Sequence, residues 1–352
     1  MVFINTVYAG SFGRLKVNFN NYLTDEFIKS LLDLNIADIR SKLYTTVYRE
    51  DIDKSTTISS DDITVLITAI NRHIIKNSKL ALFAVPPEIK PFIKSYISKW
   101  DIESIKAIIT SKVIKHNIKY NDTFIVSFRD IPMGIFAGNL TGDDFRIMLE
   151  KNDVDAIINY LFNHGYSYLL KELDTYKKTG DISSLLSSMD FRYYNDVYSA
   201  AKFFTGDEGA LINYIKTEID LKNMLTLVKG IELNVEFEQI ENTIIENGTL
   251  SKSMLMENYR SKNIMELLNI FKNFNIEEAI ESYKDNKNLS MFEMALRRAI
   301  YQNFVPLMLR NTSALYIFAY ILVAERERDN LRAIIIGKSY NLARDTMERM
   351  LI

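Results

Sequence analysis

The sequence predicts an all-α protein of three similar helical domains in tandem, on three observations. Leu, Ile, Lys and Glu at 3.6-residue spacing dominate the 352 residues. With only 12 Gly and 5 Pro, the chain lacks the turn residues that an all-β protein needs. One long helical pattern also occurs three times, around Asp101, Asp220 and Glu327, at offsets of 119 and 107 residues. A repeat of this kind decides the fold before any local reading does.

The long helix of each copy is justified by landmarks that keep those offsets. Its body is residues 100–109, 219–228 and 326–335. Pro87-Glu88, Gly206-Asp207 and Ser313-Ala314 read as its start, a proline or small residue followed by an acid or a helix former. Ser111, Gly230 and Gly337 read as its end, since glycine is common just past a helix. Ile75, Tyr194 and Tyr301 form a further set at the same spacing. The expected helix is about 24 residues, roughly 36 Å at 1.5 Å per residue.

The front of each copy matches as well. Thr24, Thr141 and Ser251 suit N-caps. Phe27, Phe145 and Leu255 follow, then Leu31, Leu149 and Tyr259. Asn35-Ile36, Asp153-Val154 and Asn263-Ile264 open a second helix that buries Ile39, Ile157 and Leu267. The domains therefore fall at 1–117, 118–235 and 236–352, each of common domain size. Three similar units in one chain can surround an axis. A short strand over residues 123–128 is the one β expectation.

Composition narrows the function classes. A hydrophobic fraction of 47% supports a sizeable core and excludes wholesale disorder. The longest apolar run, 314–324, is about half the roughly 20 residues a membrane span needs. Glu325-Arg326-Glu327-Arg328 follows it at once, so it reads as a buried core helix. The absence of cysteine excludes disulfides, thiolate metal sites and a cysteine nucleophile, and it is compatible with a reducing cytosol. No secretory signal pattern opens the chain. The net charge of −2 divides as +4, −5 and −1 over the three domains, without the concentrated basic excess of a nucleic-acid binder. That imbalance either orients the protein on a charged partner or is chance unevenness.

No chemistry-bearing constellation emerges. His73, His116 and His164 show no metal-ligand spacing. Gly337-Lys338-Ser339 resembles the end of a phosphate loop, but Arg332 stands where the first glycine is required. The tripeptide reads as a helix end with a lysine set against the helix dipole. No dinucleotide fingerprint or nucleophile elbow is present. No catalytic, cofactor-binding or metal residue is assigned, and no cofactor is expected.

The repeated acids are the candidate site. Asp101, Asp220 and Glu327 each precede apolar positions by four and by seven residues (Ile105 and Ile108, Met224 and Leu227, Leu331 and Ile334), so they lie on the edge of an apolar face. An acid there must be hydrogen-bonded or paired. It either locks its own repeat to a neighbouring loop or basic side chain, or it faces a partner. Lys106 and Arg332 follow their acids by five residues, whereas Leu225 takes that place in the middle copy. The copies are thus chemically unequal, which argues against three identical active sites.

At these segments the chain resembles the C subunit of the V/A-type ATP synthases, the counterpart of the d subunit of V-ATPases. The resemblance rests on Trp-Asp-Ile-Glu-Ser-Ile-Lys at 100–106, on Glu-Ile-Asp-Leu-Lys-Asn at 218–223 with Leu-Thr-Leu-Val-Lys at 225–229, and on Glu327, Asn330, Leu331, Arg332, Gly337 and Lys338. It covers essentially the whole chain. Near Tyr8, Phe12 and Arg14 stand where that family usually has two basic residues, and Arg328-Asp329 replaces an apolar–basic pair. The resemblance implies a funnel of three domains around a pseudo-threefold axis. It implies a non-catalytic central-stalk component, one copy per complex, that binds no nucleotide. Its partners would be shaft subunits D and F and the membrane rotor ring, and its place the cytoplasmic face of the membrane. Asp101, Lys106, Asp220, Asn223, Glu327, Asn330 and Arg332 are the signature or interface residues it points to. Two other readings stand beside it. A helical-repeat scaffold for an unrelated partner would more often have repeats of about 20–50 residues, and an enzyme would need convergent bases, a metal or a phosphate site.

Overall fold

The structure is a computed structural model of the chain and describes residues 6–115, 126–128, 131–202, 208–271, 276–311 and 313–352. Among the described residues the regular structure is helical apart from one small hairpin. The first stretch holds α1 (Thr6–Phe19), α2 (Asp25–Ser30), α3 (Ile36–Tyr44), α4 (Arg49–Thr56), α5 (Asp62–Ala84), α6 (Lys90–Ile97) and α7 (Lys99–Ile114). The hairpin pairs β1 (Val126–Phe128) antiparallel with β2 (Ile131–Met133), Ser127 opposite Pro132. Next come α8 (Gly142–Glu150), α9 (Val154–Phe162), α10 (Leu169–Thr179), α11 (Ser183–Ala201) and α12 (Glu208–Glu232). The last stretch holds α13 (Phe237–Ile240), α14 (Lys252–Arg260), α15 (Ile264–Asn269), α16 (Glu277–Asn286), α17 (Leu289–Met308), α18 (Ala314–Ser339) and α19 (Arg344–Arg349). The expected strand exists at Val126–Phe128, and residues 123–125 lie outside the described residues.

The N-caps read at the front of each copy are all present. Thr24, Thr141 and Ser251 accept the backbone N–H three residues on, at 3.2, 3.4 and 3.3 Å. Thr141 adds a reciprocal bond from its own N–H to Asp144, a full capping box. Asn35, Asp153 and Asn263 cap α3, α9 and α15 in the same way. Each such cap is worth about 1 kcal/mol. Ser313 caps α18 as expected, Pro87-Glu88 lies in the turn before α6, and Gly206-Asp207 lies outside the described residues.

Two features of the long helices differ from expectation. In the first copy the helix is interrupted at Ser98, whose hydroxyl donates to the carbonyl of Ser95, giving α6 of 8 residues and α7 of 16. The other two copies are continuous, at 25 and 26 residues. Gly230 and Gly337 are not the terminating residues either. The left-handed positions are Lys115, Asn234 and Asn341, with φ of 54°, 53° and 55°. These keep the 119 and 107 offsets. Val235 N–H returns to the carbonyl of Gly230 and Leu342 N–H to that of Gly337, both at 2.9 Å. The latter two copies therefore end in Schellman motifs with asparagine at C′. The glycines sit one turn earlier for a different reason. A β-carbon at Gly230 would stand 2.6 Å from the Tyr259 hydroxyl and 3.0 Å from Ile240, and one at Gly337 would stand 2.6 Å from Met347, so each lets later elements lie close to the helix.

The chain forms two compact units. One comprises Met1–Ile93, Lys119–Ile135 and Tyr301–Ile352. In it α18 packs along α5, and α1 packs on both. Leu31, Ile39, Leu43, Ile52 and Leu66 form its core with Leu331, Ile334, Ile335 and Met347. Every residue of α18 from Ala314 to Ala324 is buried. An element apolar all round belongs inside a core, which accounts for the long apolar run. The other unit comprises Lys94–Ile118 and Phe136–Ile300. There α11 packs on α7 and α12, α7 on α8 and α9, and α12 on α15. Ile105, Ile108, Phe145, Ile157, Met189, Met224, Leu227, Leu255 and Leu267 are buried in it. Fully burying each such side chain contributes about 1.5–3 kcal/mol.

Candidate functional site

The three acids are buried, Asp101 at 3% exposure, Asp220 at 0% and Glu327 at 4%. Each binds backbone N–H groups just ahead of an N-cap. Asp101 on α7 accepts from Phe136 N–H at 3.1 Å and Gly138 N–H at 2.8 Å, in the segment leading to Thr141. Asp220 on α12 accepts from Thr249 N–H at 2.8 Å, Leu250 N–H at 3.3 Å and the Thr249 hydroxyl, in the segment leading to Ser251. Glu327 on α18 accepts from Leu23 N–H, next to Thr24, and from the Tyr48 hydroxyl at 2.7 Å. Such charge-assisted bonds offset the cost of taking a carboxylate out of water. Burial still raises the Asp220 carboxyl above the ordinary aspartate range, against the lowering pull of Thr249 and Leu250. Glu327 is likewise raised by burial, with Leu23 and Tyr48 opposing.

The loop ahead of each cap is shaped for its acid. Gly138 and Gly248 both stand three residues before their N-caps. A β-carbon at Gly248 would meet Asp220 Oδ1 at 2.1 Å, and one at Gly138 would meet Asp101 Oδ2 at 3.4 Å. The third loop has Asn21 at that place. Its acid is glutamate, whose extra methylene reaches the backbone from further away. Phe136 adopts φ of 52°, a left-handed conformation uncommon for an aromatic residue, while its N–H is held by Asp101. Sequence reading missed these two glycines. The shared Gly-x-x-Thr/Ser spacing was the available signal.

One turn beyond the acids, Asn223 and Asn330 repeat a second device. Asn223 donates to the carbonyl of Ile245 at 2.8 Å and accepts from its N–H at 2.9 Å. Asn330 makes the same pair with Ile352, at 3.2 and 2.7 Å. Both partners lie 22 residues downstream. The first copy has a buried Ser104 there, which is too short for a two-point clasp. Lys106 donates to Asp190 on α11 and to Glu103 at 3.1 Å. Burial lowers its pKa, but Asp190 and Glu103 together outweigh this and the net shift is upward. Arg332 is half-buried on α18. Lys338 donates to the carbonyl of Leu32 at 2.6 Å rather than serving its own helix end. Lys112, its counterpart in the first copy, donates to the carbonyl of Leu149 at 2.8 Å.

The structure thus joins Asp220 with Asn223, and Glu327 with Asn330, on one face of their helices. Each acid is engaged by its own stretch of backbone. His73 pairs with Asp51 at 3.0 Å, and His164 with Asp144 at 3.2 Å and the carbonyl of Tyr160 at 2.9 Å. His116 lies outside the described residues. Among the described residues no His, Asp and Glu cluster suits a metal ion, and no helix is long and apolar enough to cross a membrane.

This geometry defines a class: a helical repeat protein whose signature acids brace its own backbone. The chain belongs to the ATP synthase (C/AC39) subunit family, which it matches over residues 12–350. It is 38% identical to the A-type ATP synthase C subunit of Thermoplasma volcanium, and equally to that of Thermoplasma acidophilum, over 99% of both chains in each case. It is 24% identical to the A-type ATP synthase C subunit of Methanococcoides burtonii, over 98% of this chain and 94% of the relative. It is therefore an ATP synthase subunit.

Proposed function

We propose that this chain is the non-catalytic socket of the central stalk, linking shaft subunits D and F to the membrane rotor ring on the cytoplasmic face, one copy per complex. The reading takes the three repeats, 1–117, 118–235 and 236–352, as domains of a funnel around a pseudo-threefold axis. One observation carries it. The first acid holds the head of the second copy, the second acid that of the third, and the third acid that of the first. A head-to-tail order that returns to its start closes instead of extending. Three closed domains leave a central hollow for a shaft tip. Dense helical packing of low compressibility suits torque transfer. On this reading Asp101, Lys106, Asp220, Asn223, Glu327, Asn330 and Arg332 keep the socket rigid, and the partners bind surfaces that those residues support.

The test is reconstitution of the complex with and without this protein. Its omission is expected to leave ATP hydrolysis running while ion transport stops. Full coupling without it refutes the assignment.

A further inference from the structure

The joint at Glu327 differs from its counterparts in what surrounds the carboxyl. Tyr48, between α3 and α4, donates to Glu327 Oε1 and lies tilted against His73 of α5, ring centroids 4.3 Å apart. His73 Nδ1 lies 3.0 Å from Asp51 Oδ2 of α4. Arg326 lies beside Glu327 in α18 and engages Asp25 at 2.6 Å and the carbonyl of Ile352 at 2.7 Å. Tyr22, Tyr301 and Tyr320 stand within the carboxylate's field. Tyr22 donates to the carbonyl of Tyr320, and the Tyr320 hydroxyl donates to Asn77 of α5. Glu327, Asp51, His73 and Tyr48 are all buried.

We propose that this cluster is a proton-operated latch between α18 and the segment from Leu23 to His73, tightened by protonation and loosened by alkali. The chemistry follows from the donors. If Glu327 takes a proton on Oε1, that O–H donates to the Tyr48 oxygen while Oε2 still accepts from Leu23 N–H. The carboxyl–phenol contact is kept with the carboxyl now the donor and the Tyr48 O–H turned off it. Asp101 has a backbone N–H on each oxygen, and an N–H cannot become an acceptor. Alkali removes the Glu327 proton and leaves a carboxylate charge inside the core, which is expensive to bury.

Linkage gives the direction. Burial raises the folded Glu327 carboxyl above its ordinary 4.5. The folded chain therefore keeps a proton that the unfolded chain has released. The stability contributed is full below the ordinary value and is lost as pH rises through the raised one. Burial also pushes the Tyr48 phenol well above its usual range, so it stays protonated throughout.

Hydrogen exchange at the Leu23 amide reads the latch, with Gly138 N–H as internal reference. In the wild-type chain the Leu23 protection factor is expected to fall on going from about pH 5 to about pH 9, by up to about tenfold per pH unit for each proton released, while Gly138 stays level. In E327Q, whose amide accepts from Leu23 and donates to Tyr48, Leu23 is expected to stay protected across the range. Wild-type protection of Leu23 that does not change with pH overturns the proposal, whether or not the variant folds. So does a fall of equal slope in E327Q.

Discussion

Asp101 and Glu327 occupy the same place in two copies of one helix, yet they answer different demands. Asp101 is short and closes on the loop that carries Gly138, with a backbone N–H on each oxygen. Glu327 is longer, reaches a loop without that glycine and shares its second oxygen with a phenol. The first joint is a fixed clasp for a charged group. The second keeps its contacts when the carboxyl takes up a proton. Equivalent positions in a repeat thus conserve connection while the chemistry of the connection changes.

The sharpest way to break the clasp is to fill its space. Gly248→Ala puts a carbon 2.1 Å from Asp220 Oδ1, forcing the acid off its donors, and is expected to cost about 3–5 kcal/mol in urea unfolding. Gly138→Ala, whose added carbon has 3.4 Å of room, should stay within about 1 kcal/mol of the parent. Equal losses for the two would show that the loops are not shaped by their acids. The amide exchange is next. Asp101→Asn sets an NH2 against a buried backbone N–H and should cost about 1–3 kcal/mol, whereas Glu327→Gln should be nearly neutral. Asn223→Ala and Asn330→Ala each leave a backbone N–H and carbonyl without their clasp, and losses of about 1–3 kcal/mol are expected in both. The smallest effect is a gain. Lys115→Gly relieves a left-handed lysine and should stabilise by about 1 kcal/mol, visible as a higher urea midpoint. Asn234→Gly should gain less, because asparagine tolerates that conformation better.

Much of this was legible because it is local or periodic. The N-caps at Thr24, Thr141 and Ser251 satisfy donors three residues away, and the acids were found as signature positions on one helix face. Their partners were not legible. Asp101 reaches 37 residues ahead to Gly138, and Glu327 reaches back 304 to Leu23, into loops with no period to read. The helix ends were placed too early because Gly230 and Gly337 invite a capping role, while the true left-handed residues are a lysine and two asparagines. The break at Ser98 goes with one hydroxyl turning back on its own helix, which composition does not announce.

The only tryptophan, Trp100, adjoins Asp101 two residues past that break, with the Lys99 ammonium 5.2 Å over its ring. The indole is buried beside one of the three joints. The protein therefore carries a built-in optical reporter at that place, and its emission can be watched as the chain folds or assembles without attaching a dye.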